Sequence, residues 1–192
     1  TQRRLEWFRS FASRVEEIKG SKLDLSKIED VELERSIDKW MISQLNLHIK
    51  EATEALEVFQ TRQALQHALF LLKKDVDHYT YRIRPLIDKQ DPAVIYVLST
   101  VLDNWIRLLA PFTPHTCEEL WSTYGGEGFA SEAAWPEYDE SLIDGEIEAS
   151  EDLVQNIVKD IKEIKNIVDK ESEKVHIYLA PEWKWDLYRI AD

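Results

Sequence analysis

The chain of 192 residues contains one cysteine, Cys117, and one methionine, Met41. A lone thiol cannot build an internal disulfide framework, and such sparing use fits a reducing compartment, so a cytoplasmic location is expected. Glycine is scarce too, with five in all. Three of them, Gly125, Gly126 and Gly128, lie close together, but no Lys-Ser/Thr follows and no strand pattern precedes. They read as a plain loop rather than a phosphate-binding one. No apolar run approaches the ~18 residues of a membrane span, and the N-terminus carries no signal-peptide pattern. No membrane partner is expected.

Reactive constellations are missing as well. His115 and Cys117 are near neighbours, but the other histidines, His48, His67, His78 and His176, are scattered without the spacing of a zinc site. Glu118 and Glu119 are adjacent, and adjacent side chains on a helix point apart rather than across a cleft. No serine sits in a nucleophile elbow. The expectation is therefore no catalytic residue, no metal and no cofactor in this chain.

Basic residues are what the later part lacks. The net charge is −13, which by itself speaks against a nucleic-acid partner. Residues 1–100 nevertheless hold 16 Lys and Arg against 16 Asp and Glu, whereas residues 101–150 hold 1 against 11 and residues 151–192 hold 7 against 10. The first half is balanced and remains free to present a basic face.

What the chain has in abundance is helical periodicity. Leu5, Phe8, Ala12 and Val15 repeat at helical spacing up to the break at Gly20. Ser26 or Asp30 is placed to cap the next element, a long helix from about Glu32 to Phe59 with the stripe Met41, Leu45, Ile49, Ala52, Leu56 and Phe59. A third helix runs from about Arg62 to Tyr81, capped by Thr61, on the stripe Leu65, Leu69, Leu72, Val76 and Tyr79. Lys73, Lys74, Arg82 and Arg84 collect at its far end, where cations complement the helix dipole. Pro92 opens a fourth helix carrying Val94, Leu98, Val101, Trp105 and Leu108.

That helix stops at Pro111, and another starts with Thr113 as N-cap and Pro114 at its first position. Phe112, Leu120 and Trp121 are placed to fill the corner. Trp135-Pro136 tucks back onto the bundle after the glycine-containing loop. A helix over Asp152–Asp169 presents Val154, Ile157, Ile161, Ile164 and Val168 on one face. Lys174–Leu179 alternates like a strand, and the residues after it resemble a helix start. The fold class is mainly α: an antiparallel helical bundle with a short α/β tail. Residues 1–149 form the bundle, and 150–192 form a linker helix and the start of a truncated C-terminal α/β domain, because one strand alone is not stable.

The wording of the corner, Leu-Leu-Ala-Pro-Phe-Thr-Pro-His from Leu108 to His115 with Glu-Glu-Leu-Trp ending at Trp121, resembles the anticodon-binding domain of class I aminoacyl-tRNA synthetases of the leucine, isoleucine, valine and methionine group. Asp38-Lys-Trp-Met-Ile-Ser-Gln-Leu-Asn46 is similar to the stretch that opens that domain, departing at Lys39 and at Gln44, where the family carries a base. Thr61 to Phe70 and the loop ending in Trp135-Pro136 follow the same family. The tail, Ile-Tyr-Leu-Ala-Pro-Glu-Trp-Lys-Trp from Ile177, looks most like the archaeal and eukaryotic leucyl-tRNA synthetases.

The resemblance implies a fragment that positions tRNA(Leu) for ATP-dependent aminoacylation, with ATP and Mg used by the whole enzyme. The catalytic and editing domains are absent here and would lie upstream of Thr1 as partners in the same chain. The tRNA would be held mainly by its backbone, with Lys39, Lys73, Lys74, Arg82 and Arg84 as candidate phosphate contacts and Trp40 available for stacking or core packing. The alternatives are the same domain of an isoleucyl, valyl or methionyl enzyme, and a stand-alone helical module whose acidic 101–150 region binds a basic protein.

Overall fold

A computed structural model describes residues 2–87, 90–168 and 176–178. The chain divides into two compact units, Thr1–Glu151 and Asp152–Asp192. The first unit is built from α1 (Gln2–Lys19), α2 (Ser36–Glu57), α3 (Thr61–Leu65), α4 (Leu72–Arg82), α5 (Arg84–Ile87), α6 (Pro92–Leu109), α7 (Pro114–Thr123) and the opening turns of α8 (Gly145–Val168). A π-helical segment, Gln66–Leu71, joins α3 to α4. No strand occurs among the described residues.

The core follows the stripes. α6 is the central rod: Val94, Val97, Leu98, Val101, Leu102, Trp105, Ile106, Leu108 and Leu109 are all buried, and α1, α2, α7 and the π segment pack around it. At 18 residues α6 is long and apolar enough to cross a membrane, contrary to expectation, but its apolar surface is buried by its neighbours and forms the core. Trp105 is fully buried, ringed by Trp7, Phe8 and Phe11 at centroid distances of 5.2–5.6 Å. Its indole N–H donates to the Ala68 carbonyl within the π segment at 2.6 Å, so the one polar atom of the largest core side chain is satisfied.

An ionic cluster fastens three helices. Arg35, just before α2, donates to both oxygens of Asp91 at 2.7 Å and to Asp38 at 2.5 Å. Asp38 is fully buried and also accepts from the Tyr79 hydroxyl on α4 at 2.7 Å. Asp91 in turn accepts from the Ala93 and Val94 amides and so caps α6. Its pKa is drawn down to about 2, chiefly by the Arg35 guanidinium.

Several boundaries differ from expectation. Neither Ser26 nor Asp30 caps α2; Arg35 occupies that position without a side-chain cap, while Asp24 caps a short 3-10 turn, Leu25–Lys27. Gln60, not Thr61, precedes α3. Thr113 stands at the N-cap of α7, but its hydroxyl turns towards the Leu109 carbonyl and the Cys117 Sγ instead of an amide. α8 begins seven residues before the expected Asp152, because Asp144 accepts from the Glu146 and Ile147 amides and starts the helix there. In the second unit Val154, Ile157 and Ile161 are half-buried and Ile164 is exposed. The expected strand Lys174–Leu179 and the following helix start lie mostly outside the described residues; His176, Ile177 and Tyr178 form no regular element.

Candidate nucleic-acid interface

The six candidate contacts do not form one patch. Lys39, on the first turn of α2, is exposed and borders a hollow with Asp30, Leu33, Tyr96 and Asp144. Trp40, the next residue, is 3% exposed and packs edge-to-face on His78 at 5.2 Å. It is a core side chain and presents no face to a base.

Lys73 and Arg82 are nine positions apart on α4, which places them on opposite sides of the helix and about 13 Å apart along it. The expected collection of cations at one helix end is therefore not what the fold makes. Lys73 is half-buried, pairs with Asp77 at 2.5 Å and lies over the Trp7 ring at 4.2 Å. Arg82 pairs with Glu151, which also accepts from His78 at 2.6 Å. Glu151 is 5% exposed, so this pair anchors the opening of α8 to α4. Lys74 is exposed, and Arg84 lies over the Tyr81 ring at 5.0 Å. Neither has an ion-pair partner among the described residues, and Lys39 is in the same position.

The acidic stretch 101–150 is largely consumed inside the fold. Glu118 accepts from the Ala130 and Ser131 amides and the Ser131 hydroxyl. These donors hold its pKa below the usual carboxylate value. Glu119 takes Arg9, Glu140 takes Lys50, Asp103 takes Arg107, and Glu148 accepts from the Ser43 hydroxyl. Asp144 caps α8 and Asp139 its own short turn. Seven of the eleven acids in this stretch thus have a partner within the fold, although Glu119, Asp139 and Glu140 are themselves exposed.

Glu118 and Glu119 serve different elements, so they are not an acid–base pair. His115 is exposed whereas Cys117 is fully buried. Burial pushes that thiol up to about 11. No group of three His, Cys, Asp or Glu that could hold a metal occurs among the described residues.

The glycine-containing loop is shaped by packing. Gly126 lies against the Trp121 indole so closely that a Cβ would stand 2.2 Å from the ring. The indole N–H donates to the Glu127 carbonyl. Trp135, as expected, returns to the bundle, donating from its indole to Thr53 on α2 at 2.8 Å.

The α2 stripe was expected to include Phe59, but α2 ends at Glu57 and Phe59 lies outside it, 89% exposed, with φ of +60°. The Phe59 amide donates to the Leu56 carbonyl and the Gln60 amide to the Ala55 carbonyl. That pairing is a Schellman ending with phenylalanine where glycine is usual. The absence of any glycine between Glu57 and Thr61 gave no signal of a helix end. Behind this corner, His67 faces His48, Nδ1 to Nδ1 at 3.3 Å, and His48 Nε2 meets Asp75 at 2.7 Å. Burial lowers the pKa of His67.

The chain belongs to the family of anticodon-binding domains of tRNA ligases, whose family model matches residues 38–178. Within that family its similarities are to the leucine enzymes. It is 50% identical to the leucine–tRNA ligase of Methanothermobacter thermautotrophicus over 191 residues, covering 100% of this chain and 20% of that protein. It is 42% identical to that of Pyrococcus abyssi, covering 99% of this chain and 19% of that protein. Among solved structures it is similar to the agnB2 LeuRS of Agrobacterium radiobacter K84, crystallised as a ternary complex with tRNA and LeuAMS. That match has a TM-score of 0.54 at 27% identity and covers 73% of this chain and 16% of that one. The chain spans about a fifth of the length of the leucine–tRNA ligases it matches.

Proposed function

We propose that this chain is the tRNA-gripping bundle of a leucine–tRNA ligase, holding tRNA(Leu) while other domains of the same protein activate leucine with ATP and Mg and transfer it. The observation that carries the reading is the match to leucine–tRNA ligases along the whole chain, at up to 50% identity. The distribution of charge supports it. Seven of the eleven acids of residues 101–150 are partnered within the fold, and Lys39, Lys74 and Arg84 are exposed cations without ion-pair partners among the described residues. Such cations suit phosphate oxygens, which fix the register of a nucleic acid without reading its bases.

The test is a hydroxyl-radical footprint of a tRNA(Leu) transcript with the chain. Protection of backbone riboses along the tRNA body is expected, with affinity unchanged when the anticodon bases are substituted. A footprint confined to the anticodon loop, or none, would overturn the reading.

A further inference from the structure

Phe59 combines two costs that folding alone does not explain. A bulky residue in the left-handed region is a steric outlier, and persistent strain of that kind points towards function. An aromatic ring 89% exposed to water gains almost nothing from burial. Glycine at this position would relieve the strain and remove the exposed ring together.

The groove beside the ring is polar, although exposed Val58 precedes Phe59. An open groove of about 580 Å³ is lined by Phe59, Gln60, Arg62, Gln63, Gln66 and His67, together with Thr61. An aromatic platform beside three side-chain amides offers a flat face for stacking and donors and acceptors for the edge of a planar heterocycle. A protein-docking patch would instead surround its anchor with apolar side chains. Phosphate is poorly served, because Arg62 is the single cation of the groove while Glu54 and Glu57 are exposed on the last turns of α2. His67 is a poor cation, since burial holds its pKa below the ordinary value.

We infer that the corner between α2 and α3 is a stacking site for one unpaired RNA base, received on the face of Phe59 and read along its edge by Gln63 and Gln66. The inference rests on the tRNA-binding role proposed above and adds to it a contact that phosphate-directed cations cannot make. Unpaired, unstacked bases are what aromatic side chains take from structured RNA.

The test measures binding of a labelled tRNA(Leu) transcript to the whole chain by fluorescence anisotropy, alongside a fully paired RNA duplex of equal length. In Phe59→Gly, affinity for tRNA(Leu) is expected to fall about tenfold, the size of one lost base stack. Its Tm stays at or above that of the unsubstituted chain, affinity for the duplex is unchanged, and the salt slope is unaltered, because stacking releases no counterions. Phe59→Trp restores binding to within about twofold. If the unsubstituted chain binds tRNA(Leu) and Phe59→Gly binds it equally well, the stacking site is overturned while the gripping role stands. A lower Tm in Phe59→Gly would make the residue a structural one and equally overturn the site. Failure of the unsubstituted chain to bind tRNA(Leu) overturns both.

Discussion

At the scale of single residues, Asp91 shows how few groups hold the bundle in register. Its carboxylate caps α6 and takes both arms of the Arg35 guanidinium, while Arg35 also reaches the buried Asp38. Because its folded pKa is depressed from 3.8 to about 2, the stability it contributes is fully present above the unfolded value. That stability is lost as the pH falls through the window between the two. Thermal melts by circular dichroism are expected to show Tm falling between about pH 4 and pH 2. Asp91→Asn keeps an acceptor for the cap but removes the ion pair. It should lower stability at pH 7 by about 2 kcal/mol and flatten that part of the pH profile; an undiminished acid slope would remove Asp91 from this role.

Asp38 could be quoted from the sequence as part of a family motif, but its partner Tyr79 lies 41 positions away, and Arg35, which also holds Asp38, reaches on to Asp91, 56 positions from itself. Nothing in the spacing announces them. The same holds for Trp40, whose burial depends on His78 across the bundle.

At the scale of elements, the periodic stripes located the helices well because burial on one face is a local, repeated constraint. α6 runs from Pro92 to Leu109 as the stripe and its flanking prolines indicate. Legibility failed where an end is set by backbone geometry or by a distant partner. Phe59 continues the apolar spacing of α2 yet lies beyond its end. The start of α8 was hidden because Ser141, Asp144 and Glu146 look like ordinary loop residues. Asp144 acts as a cap there, and its own amide is held by Ser43 on α2. The π segment, Gln66–Leu71, is invisible to a pattern that fits a straight α-helix almost equally well.

The loop after α7 offers an element-level test. A Cβ at position 126 would collide with the Trp121 indole, and the ring cannot shift without losing its bond to the Glu127 carbonyl. Gly126→Ala is expected to cost about 1–3 kcal/mol, read as a lower urea midpoint with an unchanged m-value. An unchanged midpoint would show that the loop does not rest on that contact.

At the scale of the whole molecule, net charge misleads unless it is resolved in space. A chain of −13 has the composition of a protein that repels nucleic acid, yet most of the acids of residues 101–150 are joined to Arg9, Lys50, Arg107 or backbone amides. Four of the candidate cations, expected together at the end of one helix, are instead divided: Lys73 and Lys74 open α4, Arg82 ends it and Arg84 opens α5. Lys73 and Arg82 have opposite facings that follow from helical geometry and structural partners that do not. Lys74→Glu should therefore weaken tRNA(Leu) binding and lower the salt slope by about one, whereas Lys73→Gln should act on stability through Trp7 and Asp77. Equal losses of affinity in both, with melting unchanged, would contradict the division.

The central claim is that this bundle grips tRNA(Leu) through its backbone, and the most direct measurement is the affinity of the chain for a tRNA(Leu) transcript across a series of salt concentrations. A straight decline of log K with log salt, shallower in the combined Lys39→Ala, Lys74→Ala and Arg84→Ala variant by about one unit for each phosphate contact removed, is the expected result. An affinity independent of salt, or a slope indifferent to all three substitutions, would contradict it.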